Sequence, residues 1–183
     1  METFTQVGLG IGMAAACGFR VFLPLALLSG ASRLGIVSLS PGFGWLASRE
    51  ALLILSVACV AEIAAYYLPW VDHLLDLLAT PTAVVAGVLA SAAVLVDLPP
   101  ALRWTVAVVA GGSVAGLFQG TTVLARHASS LLTLGLGNFL IATAEMILAL
   151  CAVALAILLP LAVIVLVLAV AGWRLGRRVE ATA

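Results

Sequence analysis

Lysine is absent from this 183-residue chain, and charged side chains of any kind make up only 9% of it. A water-soluble domain carries about 25% charged residues to wet its surface. Here 64% of the residues are hydrophobic and the mean hydropathy is +1.29, so the composition excludes an ordinary soluble domain and makes lipid the expected solvent. Eight arginines are balanced by eight acids. That balance leaves no basic surface for nucleic acid and no acidic tail for a basic partner. Cysteine is limited to Cys17, Cys59 and Cys151. Each stands alone in an apolar run, which excludes a Cys-x-x-Cys site and makes them small buried hydrophobes. There is no His-Glu-x-x-His, no Gly-Lys-Ser/Thr phosphate loop and no Gly-x-Ser-x-Gly. The expectation is a non-enzyme with no catalytic residues, no cofactor and no resident metal; an intramembrane enzyme acting through Asp72 and Asp76 is the enzymatic alternative.

What is present is a series of apolar runs. A spanning helix needs about 20 mostly apolar residues, and candidate spans lie at 5–29, 51–70, 81–98 and 101–125, followed by a run from 138 to 173. The stretch "MAAAC" (13–17) resembles a lipoprotein cleavage box. However, "METFTQ" lacks the positive charge of a signal, so the first run reads as a retained span. Thr80-Pro81 fits a helix start opening the third span, and Asp97–Pro100 a tight turn. The last run, at 1.5 Å per residue, extends about 50 Å, beyond a hydrocarbon core of about 30 Å. It contains Pro160, so it either kinks there or turns back as two crossings. Trp45, Trp70, Trp104 and Trp173 all fall near span ends, where amphipathic rings sit.

The expected fold is therefore all-α: a polytopic transmembrane bundle of five or six helices forming one integral membrane domain over 1–183. With five crossings and the N-terminus outside, every arginine except Arg20 and Arg126 falls on or next to the inner side. The positive-inside rule then puts the C-terminus in the cytoplasm of a bacterial inner membrane. A weak likeness between 54–69 and 148–160, both Ala-rich and both ending in Leu-Pro, suggests repeat-like halves at 5–79 and 101–176, joined by a span at 80–98. An odd number of spans would invert the second copy, as in many transporters.

Two small-residue ladders, Gly8–Gly12–Ala16 and Gly112–Gly116–Gly120, predict close helix packing and, with so small a chain, a homo-oligomer such as a dimer. Extending the first ladder by four reaches Arg20, which is thereby directed into the bundle. At matching depth on the next helix lies Glu62, its expected partner, because an unpaired charge costs at least about 2.5 kcal/mol in a membrane. Pro24, Pro69 and Pro160 are expected to break helices near these charges. Asp72 and Asp76 share one helix face, with His73 three residues from Asp76, and the three fit either a cation or proton site or a solvated interfacial helix. Glu145 is a second intramembrane acid, and Gln119, Thr121 and Thr122 add polar groups; His127 reads as a loop residue. Tyr66 and Tyr67 read as interfacial anchors.

"GFRVFLPLALL" (18–28), Ala61-Glu62 and "LPWVDHLLD" (68–76) followed by "TPTAVVAG" (80–87) resemble a family of small bacterial integral membrane proteins known as a domain of unknown function, with relatives in photosynthetic organisms. The likeness covers residues 8–90 and is looser beyond. It implies a polytopic membrane fold, with Gly18, Arg20, Pro24, Glu62, Pro69, Asp72 and Asp76 as signature positions, and brings no activity. Two functions follow as expectations. One is a small transporter- or channel-like protein centred on Arg20 and Glu62, handling an anion or proton-coupled solute. The other is a lipid-binding or assembly subunit whose buried charges are structural.

Overall fold

Helix α1 (Thr3–Cys17) has no polar residue after Gln6, and the structure buries ten of its 15 residues. A helix apolar on every side belongs in an interior, and α1 is the central post of an all-helical bundle. In the computed structural model, which describes residues 3–67, 69–134, 136–160 and 169 (69–77 as backbone only), α1 packs along α4 (Pro69–Val94) and α6 (Asn138–Leu158). It also meets α5 (Pro100–Thr133). Outside this group α2 (Phe22–Arg33) and α3 (Arg49–Tyr66) pair with each other. No strand occurs among the described residues. Among the described residues two helices, α5 and α6, are long and apolar enough to cross a membrane, while Thr3–Cys17 and Leu78–Val94 are shorter apolar helices.

The first expected span, 5–29, is two helices. The amides of Gly18, Phe19 and Arg20 close α1 on the carbonyls of Ala14, Ala15 and Ala16, and α2 restarts at Phe22. A Cβ on Gly18 would lie 2.6 Å from the Ala115 carbonyl oxygen, so the backbone of this break rests directly on α5. Pro24 falls in the first turn of α2, where a missing N–H has no helical acceptor to lose. It marks a helix start and does not kink a continuous helix.

Of the other prolines, Pro69, Pro99, Pro100 and Pro160 sit at helix ends, Pro41 lies in a turn and Pro81 lies inside a helix. Pro69 is the first residue of α4, a position that suits proline. Pro160 follows the end of α6 at Leu158, and Leu159 leaves helical geometry with φ −139°, as a residue before proline tends to. Pro81, expected to open a helix, lies inside α4. Its cost of about 3 kcal/mol is borne by a helix that buries Ala79, Ala83, Ala86 and Ala90. The apolar run beyond Pro160, with Trp173 and the tail arginines Arg174, Arg177 and Arg178, lies outside the described residues.

Close packing is real but shifted from the expected face. A Cβ on Gly87 would lie 2.5 Å from Ala115 Cβ, one on Gly111 2.8 Å from Ser91 Cβ, and one on Gly10 2.8 Å from Ser91 Oγ. Helices α1, α4 and α5 therefore meet through Gly10, Gly87, Ser91, Gly111 and Ala115. In the second predicted ladder, Gly112 and Gly116 face the Val84 and Val88 side chains, and Gly120 faces nothing within 4 Å. A π-helical turn over Ala107–Gly112 immediately precedes this stretch. Gly8, Gly12 and Ala16 are buried as expected, and a Cβ on Gly8 would collide with the Pro160 carbonyl.

Candidate functional site

The break at 18–21 leaves α2 with amides that have no acceptor in their own helix, and its N-cap residue, Val21, has no side-chain oxygen to offer them. Helix starts in this state need an outside acceptor, and an anion is favoured there by the helix dipole. Glu62 of α3 supplies it. Its Oε1 accepts from the Val21 amide at 2.8 Å and its Oε2 from the Phe22 amide at 3.0 Å. Glu62 is therefore buried beside Arg20, as the sequence implied, but its hydrogen bonds go to backbone.

Arg20 itself, 1% exposed, turns to another helix. Its Nη2 donates to the Ala142 carbonyl at 2.7 Å and lies 3.7 Å from Glu145 Oε2. The expected Arg20–Glu62 bond is thus replaced by an Arg20–Glu145 ion pair. The physical reason is that α2 claims both Glu62 oxygens, whereas Glu145 is already drawn to the same spot by a second cation. That cation is Arg126, whose Nε donates to Glu145 Oε1 at 3.0 Å and whose Nη2 donates to Glu145 Oε2. This two-pronged geometry is the strong form of the arginine–carboxylate contact.

Tyr66 joins the two cations. The guanidinium carbons of Arg20 and Arg126 each lie 4.0 Å from the centre of its ring, within cation–π range. Tyr66 is buried, so it is a platform for charge in place of the expected interfacial anchor; Tyr67 shares a hydroxyl–hydroxyl bond with Thr143 at 2.8 Å near the surface. Arg20 also interacts electrostatically with Glu62, and Tyr66 with all four charged groups. Among the described side chains, then, two arginines and two carboxylates from the α1–α2 break, α3, α5 and α6 converge on one ring with no net charge. Arg20 Nε and Nη1 are buried with no hydrogen-bond partner among the described residues.

Glu145 occupies the interior as expected. Gln119 and Thr122 are buried on α5, although the Thr122 hydroxyl donates to the Gln119 carbonyl of its own helix at 2.9 Å. Arg126, which the topology argument put outside, is 3% exposed. The spacing Gln119, Thr122, Arg126 is i, i+3, i+7, one helix face, and this was the signal that could have found it. His127 is exposed on α5 and is not in a loop. Asp72, His73 and Asp76 fall on the first turns of α4, but their side chains lie outside the described residues. Among the described residues no group of three His, Cys, Asp or Glu side chains could hold a metal.

An open cleft of about 460 Å³ reaches this centre between α2, α3 and α4. It is lined by Val21, Phe22, Ala61, Glu62, Tyr66 and Leu78 among others. Its lining is mostly apolar, with Glu62, Tyr66 and Thr82 as the residues that carry polar groups.

No curated protein and no solved structure matches the chain. One family profile does, described as a domain of unknown function (DUF4126). The match extends beyond residues 8–90 and takes in both Ala-Glu pairs (61–62 and 144–145) and both buried arginines of the centre. With residues 7–178 of 183 covered, the chain belongs to this DUF4126 family.

Proposed function

We propose that the chain is a polytopic integral membrane protein that moves a small charged solute past the centre formed by Arg20, Glu62, Arg126 and Glu145. The observation that carries this reading is the convergence of four buried charges on Tyr66 beside a broken helix. Transporters build their sites where helices break and expose backbone groups to charge, and interior charges in a membrane protein are functional hypotheses by default. The membrane setting is supported by the outer surface. Leu53, Ile54, Val57 and Val60 on α3, Val108 and Val109 on α5, and Leu131, Leu132 and Leu140 around the α5–α6 turn are all exposed, far more apolar surface than a soluble monomer leaves uncovered. Trp45 and Trp104 are exposed too, in keeping with headgroup anchors.

The inverted-repeat reading draws on the likeness between 54–69 and 148–160. The inner-membrane setting, a cytoplasmic C-terminus and a homodimer belong to the same proposal. A structural role is the second reading. It is favoured by the Arg126–Glu145 fork, which ties α5 to α6 as a staple would. Proteoliposomes loaded with a pH-sensitive dye separate the two. Transport predicts dye responses to gradients of one class of small anion above those of empty vesicles, reduced by Arg20→Gln. Responses equal to empty vesicles for every anion and for protons would leave the structural reading.

A further inference from the structure

We propose that Glu62 is the proton-accepting carboxyl of the centre, while Glu145 serves as the fixed counter-ion of the arginines. This deepens the transport reading, on which it rests only for what the proton does once bound. The two glutamates are held in opposite ways. Glu145 meets two guanidinium groups, the Arg126 fork and the Arg20 Nη2 3.7 Å away. Glu62 has no cation within ion-pair distance among the described residues. Its bonds come from two neutral donors, the Val21 and Phe22 amides at 2.8 and 3.0 Å. Access is the second difference. The cleft of about 460 Å³ is lined by Glu62 and by no other acid of the centre.

Protonating Glu145 would leave two buried guanidiniums without the anion they touch, and an uncompensated buried charge is the costly case. Protonating Glu62 breaks no ion pair. A neutral carboxyl keeps acceptor capacity beside its O–H, so it still serves the α2 amides. Those bonds weaken, because a charged acceptor makes the stronger bond. The proton bonds to a Glu62 oxygen, and the centre passes from no net charge to one positive charge, carried by the two arginines over the Tyr66 ring. Proton uptake therefore changes the charge of the centre and loosens the hold of α3 on the start of α2, next to the break at 18–21.

The other ionisable groups around Glu62 come from several elements. Arg20 at the break and Glu145 on α6 interact with it electrostatically. Cys17 at the end of α1, and Cys59 and Tyr66 on α3, do so as well. Arg126 on α5 reaches the same Tyr66 ring. From α4, Leu78, Ala79 and Thr82 line the cleft and none of them titrates; the side chains of Asp72, His73 and Asp76 lie outside the described residues.

Purified full-length protein in mild detergent tests this with dicyclohexylcarbodiimide, an apolar reagent suited to an apolar cleft. It modifies a carboxyl that carries its proton. The proton moves to a carbodiimide nitrogen, the carboxyl oxygen bonds to the central carbon, and acyl transfer to nitrogen leaves a stable acylurea. Peptide mapping by mass spectrometry should find Glu62 modified at neutral pH at least tenfold more than Glu145, and progressively less as the pH is raised. In infrared spectra the C=O band of a protonated carboxyl should fade over the same pH range and be missing from Glu62→Gln. Should Glu62→Gln not fold, Glu62→Asp replaces it and should move the pH at which the band fades. Glu62 left unmodified, modification indifferent to pH, Glu145 modified as readily, or a band unchanged by the Glu62 variant overturns the assignment. Dye-loaded proteoliposomes are measured in parallel. Modification without any flux keeps the proton site and overturns the transport reading. Flux that answers a pH gradient equally in the wild type and the Glu62 variant keeps transport and overturns the proton site.

Discussion

Glu62 and Glu145 are both buried glutamates that follow an alanine, yet their loss should have very different consequences. Replacing Glu145 with alanine removes both bonds of the Arg126 fork and the carboxylate 3.7 Å from Arg20. Two cations 3% exposed or less then face each other across Tyr66 with only Glu62 to balance them. Breaking a buried pair by deleting one partner costs about 3–5 kcal/mol. Replacing Glu62 removes a helix cap, a loss of about 0.5–2 kcal/mol, and leaves the Arg126–Glu145 fork and the Arg20–Glu145 contact in place. The gap of roughly 3 kcal/mol is on the order of a hundredfold in the folding constant. Reversible unfolding in mixed micelles, titrated with a denaturing detergent, measures both variants against the wild type. The reasoning fails if Glu62→Ala is as destabilising as Glu145→Ala, or more so, because that would return Glu62 to the role of Arg20's main counter-ion.

Tyr66 should tolerate phenylalanine and not leucine. The ring keeps both cations in the first case, while the second forfeits two contacts of about 0.5–2 kcal/mol each, visible in the same unfolding assay. Gly87→Leu should abolish the monodisperse peak in size-exclusion chromatography, since even a Cβ there meets Ala115 at 2.5 Å. Gly120→Ala, with nothing within 4 Å, should be neutral or gain up to about 1 kcal/mol from helix propensity; a severe loss at Gly120 would mean that the face is covered. A C-terminal reporter should be active in the cytoplasm, and one active only in the periplasm would favour an even number of crossings.

The helix inventory was legible in the sequence wherever composition changes sharply. The start of the last described helix at 138, the turn at Asp97–Pro100 and the run beginning near Ala51 all follow from apolar stretches bounded by glycine, proline or charge. The interior placement of Arg20, Glu62 and Glu145 was legible too, because a lone charge inside a long apolar run has few alternatives to burial. Partner choice was not. Depth matching compares distances along helices and cannot know that α1 stops at Cys17, which turns the α2 amides into the stronger claimant for Glu62. Arg126 was hidden for a related reason. Arginine counting treats every arginine near a span end as a topology marker, although the residues preceding it, Gln119 and Thr122, already shared its face. Pro81 misled because proline is a good helix opener, and here the chain had begun the helix at Pro69. The ladder at Gly112 lies one residue from the tightest contacts, at Gly111 and Ala115, because glycine spacing marks a small-residue face without saying which of two adjacent faces meets the neighbour.

The most direct test of the central claim is to make the Arg126–Glu145 pair apolar, through Arg126→Met combined with Glu145→Leu, and to measure stability and solute flux on the same preparation. Apolar replacement of a whole buried pair is commonly neutral or stabilising, and Arg20, which loses Glu145, keeps its bond to the Ala142 carbonyl and its electrostatic interaction with Glu62. The account predicts a protein that unfolds at or above the wild-type midpoint and has lost its flux in proteoliposomes. Wild-type flux through this apolar variant would contradict it and make the charges a staple.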